Sequence, residues 1–136
     1  TYISEAIVRD LKDGQFTGGN RVRLRLTHVW EEVNANPGEE WNLPALAKRM
    51  HVSVRQFQRI MKENYDVTAE GLLMRIRMEH ARELLSSTDM TMVMVADRIG
   101  YQCVFAFSKG FRRHFGMPPG AYRKAANQGA IPHDVV

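Results

Sequence analysis

Apolar positions along this chain recur at three- and four-residue steps, the period of a helix with one buried face. Ile3, Ile7 and Leu11 form a first short stripe. The stretch 13–20 then places three glycines within six residues, which predicts a flexible joint, and Asn20 is a fair N-cap for the next helix. That helix is expected over about 21–33, with Leu26, Val29, Trp30 and Val33 on one face and Asn36-Pro37-Gly38 ending it. Leu43, Leu46, Ala47 and Met50 mark another helix. Ser53 caps a helix over about 54–64 with the stripe Phe57, Ile60, Met61. A long helix comes after it over about 69–85, carrying Leu72, Leu73, Ile76, His80, Leu84 and Leu85. Shorter helices are expected over 92–99, 103–115 and 120–126, and the stretch from Ile131 onward reads as a frayed tail. No segment alternates with the period of two that a strand requires, so the fold class is all-α with about seven helices.

The stripes repeat. Ala47, Met50 and Val52 match Ala96, Ile99 and Tyr101 at an offset of 49. Phe57, Met61, Lys62, Tyr65 and Val67 match Phe107, Phe111, Arg112, Phe115 and Met117 at an offset of 50, so the second turn holds one extra residue. Each copy is a short helix, a tight connection and a second helix with a polar outer face, the pattern of a helix-turn-helix. In such a unit the first helix braces the second, which lies in the DNA major groove. Arginine can grip guanine O6 and N7, and glutamine adenine N6 and N7. Copy one offers Arg55, Gln58 and Arg59 on one face as base readers, with Gln56 and Lys62 at the flank. In copy two Val104 and Phe105 stand where readers are expected, and Ser108 and Lys109 match Gln58 and Arg59. Three roles are open to Val104 and Phe105: contact with thymine methyl groups, a place in the core, or contact with a partner protein. Lys109 is expected nearest the bases, with Ser108, Arg112 and Arg113 nearer phosphate.

Length and composition narrow the field. A chain of 136 residues with 44% apolar and 25% charged residues suits one soluble globular domain or two small ones. No apolar run approaches the ~18 residues of a membrane span, and no secretory signal opens the chain. With Thr1 in place of Met, the chain is expected to be a fragment of a longer protein. One cysteine, Cys103, allows no internal disulfide and points to a reducing cytoplasm. The five histidines lack metal-ligand spacing, and nothing calls for a cofactor. Residues 1–42 hold five basic and seven acidic side chains, whereas 43–136 hold fourteen and eight. Between Gln102 and Lys124 lie Lys109, Arg112, Arg113, Arg123 and Lys124 with no acidic residue, a local surface suited to a polyanion.

The expected organisation is a helix and joint over 1–20 leading to a domain absent from this chain, a DNA-binding domain over 21–126, and a tail over 127–136. Within the domain, helix-turn-helix units over about 43–65 and 92–115 are joined by the linker helix. That linker, about 17 residues at ~1.5 Å each, spans roughly 25 Å. Adding helix widths, the two second helices sit about one DNA turn apart, roughly 34 Å, and one chain reads two successive major grooves.

The run Val95-Ala96-Asp97-Arg98-Ile99-Gly100-Tyr101, then Phe107-Ser108-Lys109-Gly110-Phe111-Arg112, then Phe115-Gly116-Met117-Pro118-Pro119 and Tyr122-Arg123, resembles the signature of the AraC/XylS family of bacterial transcription regulators. Leu43, Leu46, Ala47, Ser53, Phe57, Arg59, Lys62, Arg77, Ala81, Leu84 and Leu85 also fit, so the resemblance covers about residues 22–124. It implies a seven-helix domain of two helix-turn-helix units, binding of asymmetric sites near promoters, and activation through RNA polymerase in the bacterial nucleoid. It implies base contacts from Arg55, Gln58, Arg59, Val104, Phe105 and Lys109. An N-terminal effector-binding or dimerising domain is common in the family. The chain departs from the pattern at Met61 in place of phenylalanine, at Asp66 in place of glycine, and at Cys103, Val104 and Phe105 in place of a polar helix start.

Three rivals come from other classes. DNA-repair methyl-acceptor proteins include a segment resembling this domain and use a reactive cysteine. Cys103 is the one candidate here, without a proline-cysteine-histidine motif or a nucleophile–base pair. A helical protein-interaction module would show no salt-dependent binding to duplex DNA. A membrane-surface role needs a large apolar patch beside the basic one, and the phenylalanines are better used as core.

Overall fold

The computed structural model describes residues 20–129. Among them are seven helices and no strand: α1 (Asn20–Ala35), α2 (Leu43–Arg49), α3 (Val54–Asn64), α4 (Ala69–Ser87), α5 (Met92–Arg98), α6 (Val104–Phe115) and α7 (Pro119–Asn127). This is the all-α class that the apolar period predicts. The expected helix over 3–11, the glycine joint and the tail from Ile131 lie outside the described residues, as does the side chain of Asn20, expected to cap α1.

Local chemistry starts most of these helices. The side chains of Asn42, Thr68 and Thr91 accept from Ala45 N at 2.8 Å, Gly71 N at 3.0 Å and Met94 N at 3.1 Å, each satisfying an amide that the first helical turn leaves without an internal partner. At α3 the cap is reciprocal: Gln56 N donates to Ser53 Oγ at 3.1 Å, and Ser53 N donates to Gln56 Oε1 at 2.9 Å. Pro119 opens α7, where a missing N–H costs nothing. Gly116 closes α6 at φ 81, a left-handed conformation that glycine adopts without a Cβ clash.

The apolar stripes meet in two cores. The first gathers Leu26, Val29, Trp30 and Val33 of α1, Leu46 and Ala47 of α2, Phe57, Ile60 and Met61 of α3, and Leu72 and Ile76 of α4. Met61 has a specific use there, because Trp30 Nε1 donates to its sulfur at 3.4 Å. The second gathers Met78, Ala81 and Leu85 of α4 with Val95, Ala96, Ile99, Phe107, Phe111, Phe115 and Tyr122. Phe111 sits centrally, its ring centroid 5.9 Å from that of Phe107, 4.7 Å from Phe115 and 5.7 Å from Tyr122. Helix α4 therefore serves both cores, and the change falls between Ile76 and Met78.

Arg77 occupies that change-over. Its Nε donates to Pro37 O at 3.1 Å and its Nη2 to Glu39 O at 2.9 Å, which pins the α1–α2 loop against α4. The same loop touches the second unit. A Cβ on Gly38 would lie 2.4 Å from the backbone oxygen of Arg98, so only glycine allows this approach. On the first unit's other side, His80 Nε2 lies 3.1 Å from Asn34 Oδ1. The two cores are thus joined by one helix and one clamped loop. Deeper in the second unit, buried Glu79 pairs with Arg82 at 2.6 Å, and the Arg82 guanidinium lies 5.1 Å from the Phe115 ring centroid.

Candidate nucleic-acid interface

The two turns have one hydrogen-bond plan. In the first, Val52 N donates to Ala47 O at 3.1 Å; in the second, Tyr101 N donates to Ala96 O at 2.8 Å. Both need a left-handed residue, His51 at φ 59 and Gly100 at φ 94, again 49 positions apart. The repeat seen in sequence is therefore a repeat of backbone geometry, and each turn presents its second helix, α3 or α6, in the same manner. Phe57, Ile60 and Met61 bury one side of α3, and Phe107, Phe111 and Phe115 bury one side of α6.

The opposite sides are exposed. On α3, Arg55, Gln58, Arg59 and Lys62 all face solvent. Arg59 lies 3.7 Å from Glu63, with 67% of the Arg59 side chain accessible; an exposed pair of this kind is weak and leaves the guanidinium available. Gln56 is also exposed, but its amide oxygen serves the cap of α3. On α6, Phe105, Lys109, Arg112 and Arg113 are exposed, while Val104 and Ser108 are half-buried. Phe105 is 81% exposed and takes no place in the second core. Arg112, Arg113 and His114 crowd the last turn of α6, where cations also suit the helix dipole. His114 is half-buried; burial pushes its imidazole below its ordinary value, and Arg75 and Arg82 push it the same way.

The basic surface expected between Gln102 and Lys124 needs one correction. It includes Arg123, yet the guanidinium of that residue turns inward. Its Nε donates to Leu85 O at 3.0 Å, and Nη1 reaches Met90 O. Arg123 closes the turn after α4 onto α7 and is not a free surface cation. In sequence, Arg77 stands only as part of a signature and Gly38 only as a helix ending; in the fold both hold the two units together. The Pro37-Gly38 pair carries a signal for a tight turn, but nothing local names Arg98 as its neighbour.

Cys103 is exposed at the N-cap of α6 and makes no side-chain cap hydrogen bond. No group of three or more His, Cys, Asp or Glu residues that could hold a metal occurs among the described residues. No helix among them is long and apolar enough to cross a membrane.

Two braced helices of one design, each with an exposed outer face bearing basic side chains, define a double helix-turn-helix protein. The chain belongs to the AraC-type helix-turn-helix family: the family model described as a helix-turn-helix domain matches residues 46–125. It is similar to the RCS-specific HTH-type transcriptional activator RclR of Escherichia coli K12, 30% identical over 104 residues, which is 76% of this chain and 37% of that protein. It is similar to the HTH-type transcriptional regulator GbdR of Pseudomonas aeruginosa, 30% identical over 117 residues, 82% of this chain and 32% of that protein. The chain thus spans about a third of the length of these relatives. Among solved structures, the DNA-binding domain of AdpA in complex with a target DNA matches with a TM-score of 0.73 and 28% identity, covering 77% of this chain and 95% of that one. A DNA-binding transcriptional dual regulator from Escherichia coli K-12 matches with a TM-score of 0.70 and 28% identity, covering 76% and 93%.

Proposed function

We propose that this chain is the sequence-specific, double-stranded-DNA-binding domain of a transcription regulator, an activator in its intact form. Helices α3 and α6 enter successive major grooves. Arg55, Gln58 and Arg59 read base edges from α3, and Val104, Phe105 and Lys109 do so from α6. Lys62, Ser108, Arg112 and Arg113 meet phosphates or flanking positions, and Gln56 lies at the flank while capping its own helix. The observation that carries this reading is the duplicated turn, which holds two helices by their apolar sides and leaves long hydrogen-bonding side chains outward. The linker fits: the 19 residues of α4 at ~1.5 Å each span about 28 Å, and with helix widths added this approaches the roughly 34 Å of one DNA turn.

RNA polymerase is the expected protein partner, an N-terminal effector-binding or dimerising domain the expected neighbour in the intact chain, and the bacterial nucleoid the expected location. The name of one relative, a transcriptional activator, supports the activating role. No catalysis is assigned to Cys103, and no cofactor to the chain.

Selection of bound sites from random duplexes, and then titration across salt, tests the reading. An asymmetric pair of boxes should emerge, and log K should fall against log salt with a slope of about −0.9 per phosphate contact. Weak binding without preferred sequence, or no binding to duplex at all, refutes it in favour of a protein-interaction module.

A further inference from the structure

We infer that Phe105 reads the C5-methyl group of thymine, so that the second unit recognises its box partly by apolar contact while the first relies on hydrogen bonds. This rests on the DNA-binding reading above and adds to it the chemistry of one contact. The repeat aligns the outer faces of α3 and α6: at an offset of 50, Phe105 takes the place of Arg55, Ser108 that of Gln58, and Lys109 that of Arg59. A guanidinium and an amide of the first unit are thus replaced by a ring that can neither donate to a base nor accept from one, and by a short hydroxyl.

Phe105 has not been drawn into the protein. At 81% it is the most exposed of the large hydrophobic side chains among the described residues, ahead of Val93 at 64% and Met94 at 52%. Fully buried Phe107 lies two positions on, a turn of about 200° around the helix, so the backbone itself directs the two rings apart. The neighbours of Phe105 on its own face are Ser108 and Lys109, and Arg112 and Arg113 come later on the same helix. On its own helix face the ring stands among polar and basic side chains rather than within an apolar stripe. The surrounding charge suits a polyanion. In the major groove, the feature that an apolar side chain can recognise is the methyl group of thymine, which cytosine lacks.

The test uses the site that the chain selects from random duplexes. Each thymine is replaced singly by deoxyuracil, which removes only the methyl group. One replacement in the second box should weaken binding about 3- to 5-fold, the effect of exposing one methyl-sized contact. At the same position, 5-methylcytosine should bind more tightly than cytosine. Phe105→Ala should abolish both differences and keep the parent's melting temperature, since the ring lies outside the core; Phe105→Leu should keep part of each difference. A second box indifferent to the methyl group overturns this inference and leaves the DNA-binding reading standing. So does a Phe105→Ala variant that keeps the parent's methyl sensitivity. Absence of any selected site removes both together.

Discussion

Replacement of Arg77 by alanine probes how the two units are held in register. The side chain spans the change-over between the two cores and donates to Pro37 O at 3.1 Å and Glu39 O at 2.9 Å. Burial pushes its guanidinium below the ordinary value, because partial removal from water disfavours the charged form. A hydrogen bond from a charged donor contributes about 1.5–3 kcal/mol when buried, and this half-buried pair retains water, so the pair together stabilises by about 1–3 kcal/mol. For a domain of this size that corresponds to a fall in Tm of roughly 5–15 °C. The functional effect is geometric. Each base pair added between two boxes moves the second by about 3.4 Å and turns it by about 35°. A clamped junction accepts one spacing; a loosened one accepts its neighbours. The assay is selection from a library in which two fixed boxes are separated by a spacer of variable length, with melting measured in parallel. Arg77→Ala should broaden the spacer distribution while preserving the sequence of each box. Unchanged melting together with the parent's single spacing would show that these two bonds hold nothing in place.

Arg59→Ala should weaken specific binding by about 1–3 kcal/mol and relax preference at one or two base pairs of the first box; a selection returning the parent's preference contradicts its role. Arg112→Ala should weaken binding to selected and random duplexes alike and reduce the salt slope by about 0.9, so an effect confined to one sequence refutes a phosphate contact. Phe111→Ala should cost about 3–5 kcal/mol, because its fully buried ring touches Phe107, Phe115 and Tyr122; a melting curve matching the parent's removes it from the core. Burial holds His80 and His114 below the ordinary imidazole value of 6.5. As pH falls, the unfolded chain therefore takes up protons before the folded one does. Stability should be full above about pH 7 and decline through pH 6 toward the folded values, and His80→Gln should lessen that slope. Urea midpoints that stay level from about pH 7.5 to 5.5 would contradict this.

Much of the fold is legible in the chain because its determinants are local. Leu72, Ile76 and Leu85 state a helix by spacing alone, and Ser53 announces its start by one hydroxyl. The capping partner Gln56 is equally readable, three residues after Ser53, yet its side chain suggests a DNA flank as readily as a cap. The repeat is legible for a related reason. Val52 and Tyr101 close their turns on Ala47 and Ala96, five residues back in each case, so matching spacing implies matching geometry. The exposure of Phe105 is not settled in this way. An aromatic residue at a helix start satisfies the core, a partner or a base equally well on paper, and only the placement of Phe107 against Phe111 decides which ring faces inward.

Sequence alone determined the helices, their apolar faces and the duplication, since each depends on residues within a turn or two of one another. Tertiary structure decided the fate of the arginines. Arg77 and Arg123 end on carbonyls 33 to 40 residues distant, while Arg55, Arg59, Arg112 and Arg113 remain on the surface. A guanidinium looks the same in the chain in either case. What separates the two groups is which backbone oxygens lack a partner once both cores have formed, and that is known only after distant segments meet.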